Sequence, residues 1–295
     1  MTLTPAHPGE PIEVSVVIPM FREAARIDAT LRDTLPLLSV APHTTEVVLV
    51  DDGSPDSTID RVMPYLTDAP QGPLRAVRLV RHKHNLGKGA AVRTGLDASR
   101  GSWRLIMDAD NAATIRELPT LLDAARPGIG LVAGSRVAPG SRVDAIAGRK
   151  FAGSVFKLAL RALGLDLLTD TQCGFKLYRT DLVEQIVELG REDGYAFDLE
   201  HLLIARATGL KIAEVGIRWT HQEGGQVNPI ADGLRMLRRA AAIRARRREI
   251  MQAVKRLPQT LPTEPPMVVM LPVDLVATRG SVSSQGPAST QSLHP

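Results

Sequence analysis

One cysteine, Cys173, stands in 295 residues. That excludes an internal disulfide and any zinc site built from several thiolates, and it points to a reducing compartment. Aromatic residues make up 3% of the chain, too few to suggest platforms for stacking single-stranded bases. No run approaches the ~20 apolar residues of a membrane-spanning helix. The opening MTLTPAHPGEP has no basic stretch followed by an apolar one, so no signal peptide is expected. Two nucleotide fingerprints are missing as well. The first apolar run leads into Pro19-Met20-Phe21-Arg22-Glu23 instead of a G-x-G-x-x-G turn, which disfavours a dinucleotide oxidoreductase. Asn85-Leu86-Gly87-Lys88-Gly89 lacks the first glycine and the hydroxyl residue of a P-loop. These absences lead to the expectation of a cytoplasmic protein, with peripheral contact at the inner face of a membrane left open and no nucleic acid as partner.

A hydrophobic fraction of 44% is enough for a sizeable core. The net charge of +4 is unevenly spread: Ala231–Arg256 holds nine Lys/Arg against two Asp/Glu, so the rest of the chain is slightly acidic. Short β-branched runs alternate with helical patterns. Strands are expected at 14–18, 46–50, 74–80, 103–107 and 130–134, then at 174–178 and 211–217. Helices are expected at 23–38, after an N-cap at Ser54-Pro55-Asp56, and at 89–99, 118–125, 148–163, 197–208 and 232–256. Such alternation predicts an α/β fold with a mostly parallel sheet and helices on both faces. The expected organisation is a flexible N-terminus over 1–11, an α/β domain over 12–230, a basic C-terminal helix over 231–257 and a disordered tail over 258–295.

Polar clusters fall at the carboxyl ends of the strands, where ligands bind in such sheets. Asp108-Ala109-Asp110 follows Leu105-Ile106-Met107. Two carboxylates one residue apart can bracket Mg²⁺ or Mn²⁺, which takes oxygen ligands and shares them with substrate phosphates. A D-x-D triplet elsewhere would read as a solvated cap; the strand end is what favours the metal. Asp51 and Asp52 could accept hydrogen bonds from a base N–H or a ribose hydroxyl. Lys88 could neutralise a phosphate at a helix N-terminus. Asp198 and Glu200 begin a helix, where an acid serves either as a general base or as a partner of the helix dipole. His221 precedes Glu223-Gly224-Gly225, a pattern suited to a mobile loop.

Ordered segments then carry a resemblance: VSVVIPMFREAARI, VVLVDDGSPDST, HNLGKGAAVRTGL, DADNAATIREL, VAGSR, DTQCGFKLYR, FDLEHLLIA and WTHQEGGQV, spread over residues 12–230. The chain resembles inverting family 2 glycosyltransferases of GT-A fold, within the dolichyl-phosphate glucosyltransferase and polyprenyl-phosphate mannosyltransferase branch. The resemblance implies donor binding by Pro19, Glu23, Asp51, Asp52, Lys88, Asp108, Ala109 and Arg136, and a metal held by Asp108 and Asp110 with His221 as a further ligand. It implies catalytic roles for Asp198, Asp110 and Arg149, with Arg136 and Arg149 near the donor diphosphate or an acceptor phosphate. Gln172, Cys173 and Glu200 fall on the acceptor side. Ala112 departs from the pattern, standing where the mannosyl enzymes often offer a glutamine.

The implied reaction moves a hexose, glucose from UDP-glucose, to a polyprenyl-phosphate-type acceptor. The alternatives are the same chemistry on a soluble hydroxyl or phosphate acceptor, and, from another class, a non-catalytic nucleotide or nucleic-acid module. A homodimer is left open. Met236, Ala240, Ile243, Ile250 and Val254 lie on one face of the basic helix, which therefore either meets an anionic membrane or packs on the domain.

Overall fold

The computed structural model describes residues 11–67, 72–144, 158–222 and 229–257. Strands β1 (Val14–Met20), β2 (Thr45–Asp51), β3 (Leu74–Arg81) and β4 (Trp103–Ile106) alternate with helices α1 (Ile27–Ser39), α2 (Thr58–Thr67) and α3 (Lys88–Ala98). A 3-10 turn at Ile115–Glu117 leads into α4 (Leu118–Ala124), β5 (Ile129–Ser135) and β6 (Arg142–Asp144). Then come β7 (Lys176–Arg179), α5 (Thr180–Leu189), α6 (Phe197–Ala207), β8 (Lys211–Gly216), β9 (Arg218–Thr220) and α7 (Pro229–Arg256).

Seven strands form one sheet in the order β3-β2-β1-β4-β7-β5-β8. All its pairings are parallel except those of β7, which runs antiparallel to both β4 and β5. β6 and β9 pair in a small second sheet. Every residue of β1 and β2 is buried, as expected of central strands covered on both faces. Their side chains divide by the two-residue period. Val14, Val16, Ile18, Val47 and Leu49 join the helices α1, α2 and α4 through Ile27, Leu31, Val62 and Leu121. Val17, Val48 and Val50 face the other way, toward Val92, Leu182, Ile186, Leu199 and Leu202 of α3, α5 and α6.

Several expectations need correction. Helix α1 starts at Ile27, not Glu23, because residues 23–26 close into a turn in which the Arg26 and Ile27 N–H groups both donate to the Glu23 carbonyl. Ser54 does not cap α2. Its hydroxyl accepts from the Arg22 N–H at 3.0 Å and supports a left-handed backbone there (φ 58°), while Asp56 binds the N–H and hydroxyl of Thr58 at the helix start. Helix α5 and the pair β6/β9 went unanticipated; α5 buries only Leu182, Val183 and Ile186, a short signal next to a strand. The helix expected at 148–163 lies mostly outside the described residues, of which 158–162 are helical. The N-terminus 1–10 and the tail 258–295 also lie outside them.

The apolar stripe of α7 faces the protein. Ala240, Ile243, Ile250 and Val254 are buried against the core on the α5–α6 side of the sheet. Arg246 reaches back to Glu200 of α6 at 2.6 Å. Arg238, Arg239, Arg244, Arg248, Lys255 and Arg256 stay exposed.

Candidate active site

The strand order reverses at β1, with β2 on one side and β4 on the other, and the crevice at such a switch point is where α/β sheets bind ligands. A cleft of about 370 Å³ opens there, lined by Pro19, Glu23, Asp52, Lys88, Asp108, Ala109 and Asp110. Arg26, Asn85, Tyr195 and Arg235, which sequence reasoning did not single out for the site, line it too. Arg235 comes from α7, so the basic helix contributes to the cleft.

Asp108 leaves the end of β4 with its Oδ1 accepting from the Lys88 ammonium at 2.7 Å. About a third of the Asp108 side chain and 28% of that of Lys88 remain exposed. Burial alone would raise the Asp108 carboxyl, but Lys88, with Lys176 and Arg136 behind it, holds it below its ordinary value. Burial opposes the charge on Lys88 too, and Asp108 outweighs it, keeping the ammonium protonated. Asp110 is pushed the other way, first by burial and then by the neighbouring charge of Asp108. Its Oδ1 accepts the Ala112 N–H at 3.0 Å. Glu23 is raised chiefly by burial, with both aspartates adding to the effect, although Arg26 pairs with it at 2.8 Å. Glu23, Asp108 and Asp110 thus crowd one another in a cleft that Asp52 also lines.

Asp51 and Asp52 sit differently from each other. Asp51 is fully buried, accepting from the Ser54 N–H and pairing with Arg81 at 3.2 Å. Asp52 accepts from the Leu86 and Gly87 N–H groups at 2.9 and 2.8 Å and meets His82 Nδ1 at 2.7 Å. Its carboxylate therefore holds the glycine-rich loop in place. That loop needs its glycines: Gly87 has φ 111°, and a Cβ on Gly87 or Gly89 would strike the carbonyls of Asp193 or Glu192. The Asp193 carbonyl accepts the Gly89 N–H at 2.7 Å and the Ala90 N–H at 3.3 Å. The N-terminus of α3 is thereby capped by protein, and what Lys88 brings to the cleft is its side-chain charge.

Gln172 and Cys173 lie in the 169–175 loop, and Asp198 joins it through Lys176, whereas Glu200 is held elsewhere. Arg136 clasps Asp170 with two hydrogen bonds of 2.7 and 2.8 Å and stacks on Trp219 at 5.5 Å. Among the described residues the buried Gln172 amide nitrogen has no hydrogen-bond partner. Burial raises the Cys173 thiol to about 11, so it packs as a neutral group. Asp198 is buried and accepts from Lys176 Nζ at 2.7 Å. Glu200 is also buried, with Oε2 accepting from the Arg191 and Glu192 N–H groups and Oε1 from Arg246. His221 donates its N–H to the Asp144 carbonyl, its ring 6.0 Å from that of Trp219. Arg149 lies outside the described residues.

The carboxylates of Asp108 and Asp110 fit a divalent metal. They are hard oxygen donors at one strand end, and they repel each other in a way that a cation would relieve. Among the described residues no three His, Cys, Asp or Glu side chains are disposed to hold a metal ion, although the strand before His221 reaches the D-x-D loop, the Thr220 N–H donating to the Ala112 carbonyl at 2.8 Å. Substrate oxygens would have to complete the shell, as phosphates do for Mg²⁺.

Residues 15–187 match the family described as glycosyl transferase family 2. A dolichyl-phosphate beta-glucosyltransferase of Dictyostelium discoideum is 31% identical over 256 residues, 81% of this chain and 76% of that one. The human protein of the same description is 31% identical over 250 residues, 79% of this chain and 75% of its own. Among solved structures, glucosyl-3-phosphoglycerate synthase from Mycobacterium tuberculosis with UDP superposes with a TM-score of 0.60 at 22% identity, covering 80% of each chain. The same enzyme with Mn²⁺ and UDP-glucose gives 0.59 at 23% identity, covering 80% of this chain and 79% of that one. That likeness shows the GT-A fold, while the family match and the identity to the curated relatives reach further. The chain is an enzyme of glycosyl transferase family 2.

Proposed function

We propose that this enzyme transfers glucose from UDP-glucose to the phosphate of a polyprenyl phosphate, inverting the anomeric carbon. The observation that carries the reading is the D-x-D pair. Asp108 and Asp110 face a cleft at the sheet's switch point, opposite a glycine loop that Asp52 holds. The names of the relatives supply the sugar and the acceptor. Asp108 and Asp110 would hold Mg²⁺ or Mn²⁺, which when bound neutralises charge on the departing diphosphate. Lys88 orients Asp108 and adds a fixed positive charge on the same side; Arg235 brings another from α7. Arg136 is already committed to Asp170, so its work is to shape the acceptor-side loop. A phosphate is ionised at neutral pH, so the nucleophile needs no base.

No helix among the described residues is long and apolar enough to cross a membrane. We take the exposed basic face of α7 as the contact with the anionic inner surface that carries the acceptor. The test is UDP release from UDP-glucose with Mn²⁺ or Mg²⁺, with and without a polyprenyl phosphate, and the anomeric configuration of the product. Metal-dependent release stimulated by the lipid phosphate, with a β-glucosyl product, is the expected result. Transfer to small hydroxyl or phosphate compounds but never to the lipid would move the reading to a soluble acceptor.

A further inference from the structure

Lys176 is out of place by composition. It lies on β7 in the interior of the main sheet, paired with Ile106 on one side and Ala133 on the other, and it is fully buried. An ammonium group there is strongly unfavourable unless its charge and all its donors are matched. They are matched: Nζ donates to the carbonyls of Thr171 (3.2 Å) and Cys173 and to Asp198 Oδ1 (2.7 Å). The two carbonyls belong to the loop that precedes β7. In that loop Gly174 presses its α-carbon on the Asp108 carboxylate so closely that a Cβ would overlap Oδ2. The third partner, Asp198, is anchored in the first turn of α6. Lys176 thus ties α6 to the loop that backs Asp108, by a route separate from Lys88.

We propose that Lys176 and Asp198 act as a positioning pair: they pin the 171–174 loop against Asp108 and so fix the carboxylate that faces the donor cleft. On this assignment Asp198 takes no proton from the acceptor. The pair sets how well the D-x-D site binds its cation, and it does so without touching the reacting atoms. This rests on the reading of Asp108 and Asp110 as the metal pair.

The experiment measures Mn²⁺ binding in the presence of UDP by electron paramagnetic resonance, alongside kcat and KM, on the full chain. Asp198→Asn keeps an oxygen for Lys176 while removing any base. The double variant Lys176→Met/Asp198→Leu replaces the ion pair by apolar groups, an exchange that often leaves stability intact. Lys176→Arg keeps the charge. The double variant should weaken Mn²⁺ by about 10–100-fold, the usual effect of losing a group behind a metal ligand. Its kcat at saturating metal should fall far less, and Lys176→Arg should recover part of the affinity. Asp198→Asn should stay within about 10-fold of the parent kcat. A loss of about 10²–10⁴-fold in that variant, undiminished at saturating Mn²⁺, is the mark of a general base and overturns the assignment. Unchanged Mn²⁺ binding in a folded double variant overturns it too. Failure of the parent protein to bind Mn²⁺ with UDP would instead remove the donor-site reading beneath it.

Discussion

At single residues the site turns on small distances. Asp108→Asn and Asp110→Asn each remove a charge from the cleft without touching the core, so both should abolish turnover while leaving the circular dichroism of a folded chain unchanged. Asp108→Asn also leaves Lys88 without its ion pair and should lower the thermal transition. Full activity in either variant, or in EDTA, would end the metal reading. Gly174→Ala is a subtler probe. Its Cβ meets the tip of the Asp108 side chain, not rigid backbone, so the fold should tolerate it by turning the carboxylate away. The expected outcome is a folded protein with a raised KM for UDP-glucose and a higher metal requirement. The D-x-D pair was legible because a strand end gives two acids a shared direction. Lys176 was legible only as an oddity, a charge inside the apolar run Phe175-Lys176-Leu177-Tyr178, since nothing in the sequence says which oxygens surround it.

Among the elements, α7 shows why amphipathic patterns need a partner before they mean anything. Its apolar stripe has no choice of membrane or protein: Ala240, Ile243, Ile250 and Val254 are spent on the core, leaving attachment to charge alone. Binding to anionic vesicles should therefore fall steeply with salt and be absent with neutral vesicles. Each basic residue near anionic lipid contributes about 1 kcal/mol, so Arg238→Gln/Arg244→Gln/Arg248→Gln together should weaken co-sedimentation roughly 100-fold. Undiminished binding by that triple variant, or equal binding to neutral vesicles, would refute the membrane face. Truncation at Ile230 would be a poor substitute, because it also strips the core and leaves Glu200 without Arg246. The structure accounts for the apolar face of α7, which packs on the core; the vesicle experiment decides what its basic face does.

For the molecule as a whole, the buried polar groups make stability depend on pH. His201 lies between Tyr178 and Phe197, 2% exposed, and burial with the nearby charges of Lys176 and Arg93 lowers its pKa to about 3. The unfolded chain protonates this imidazole near pH 6.5, so between about pH 6.5 and 3 the unfolded state binds one more proton than the native state. Stability should fall as pH drops through that window, by about 1.4 kcal/mol per pH unit from this group. In chemical denaturation between pH 6.5 and 4.5, His201→Gln should lose about one proton of that slope relative to the parent chain. An identical slope would show that other groups govern the acid response.

The order of β1–β5 and α1–α4, the burial of both faces of β1 and β2, and the acids at the strand ends followed from the sequence, because they depend on local periodicity and on where apolar runs stop; α5 and the β6/β9 pair were not legible there. The reversed direction of β7, the capping of α3 by the Asp193 carbonyl, the capture of Asp198 by Lys176 and of Glu200 by Arg246, and the arrival of Arg235 at the cleft did not. Each joins residues from 22 to more than 100 positions apart. No local preference encodes such pairs. Only the packed sheet and helices bring the charges within reach, and burial makes a charge such as Lys176 or Glu200 too costly to leave unpaired.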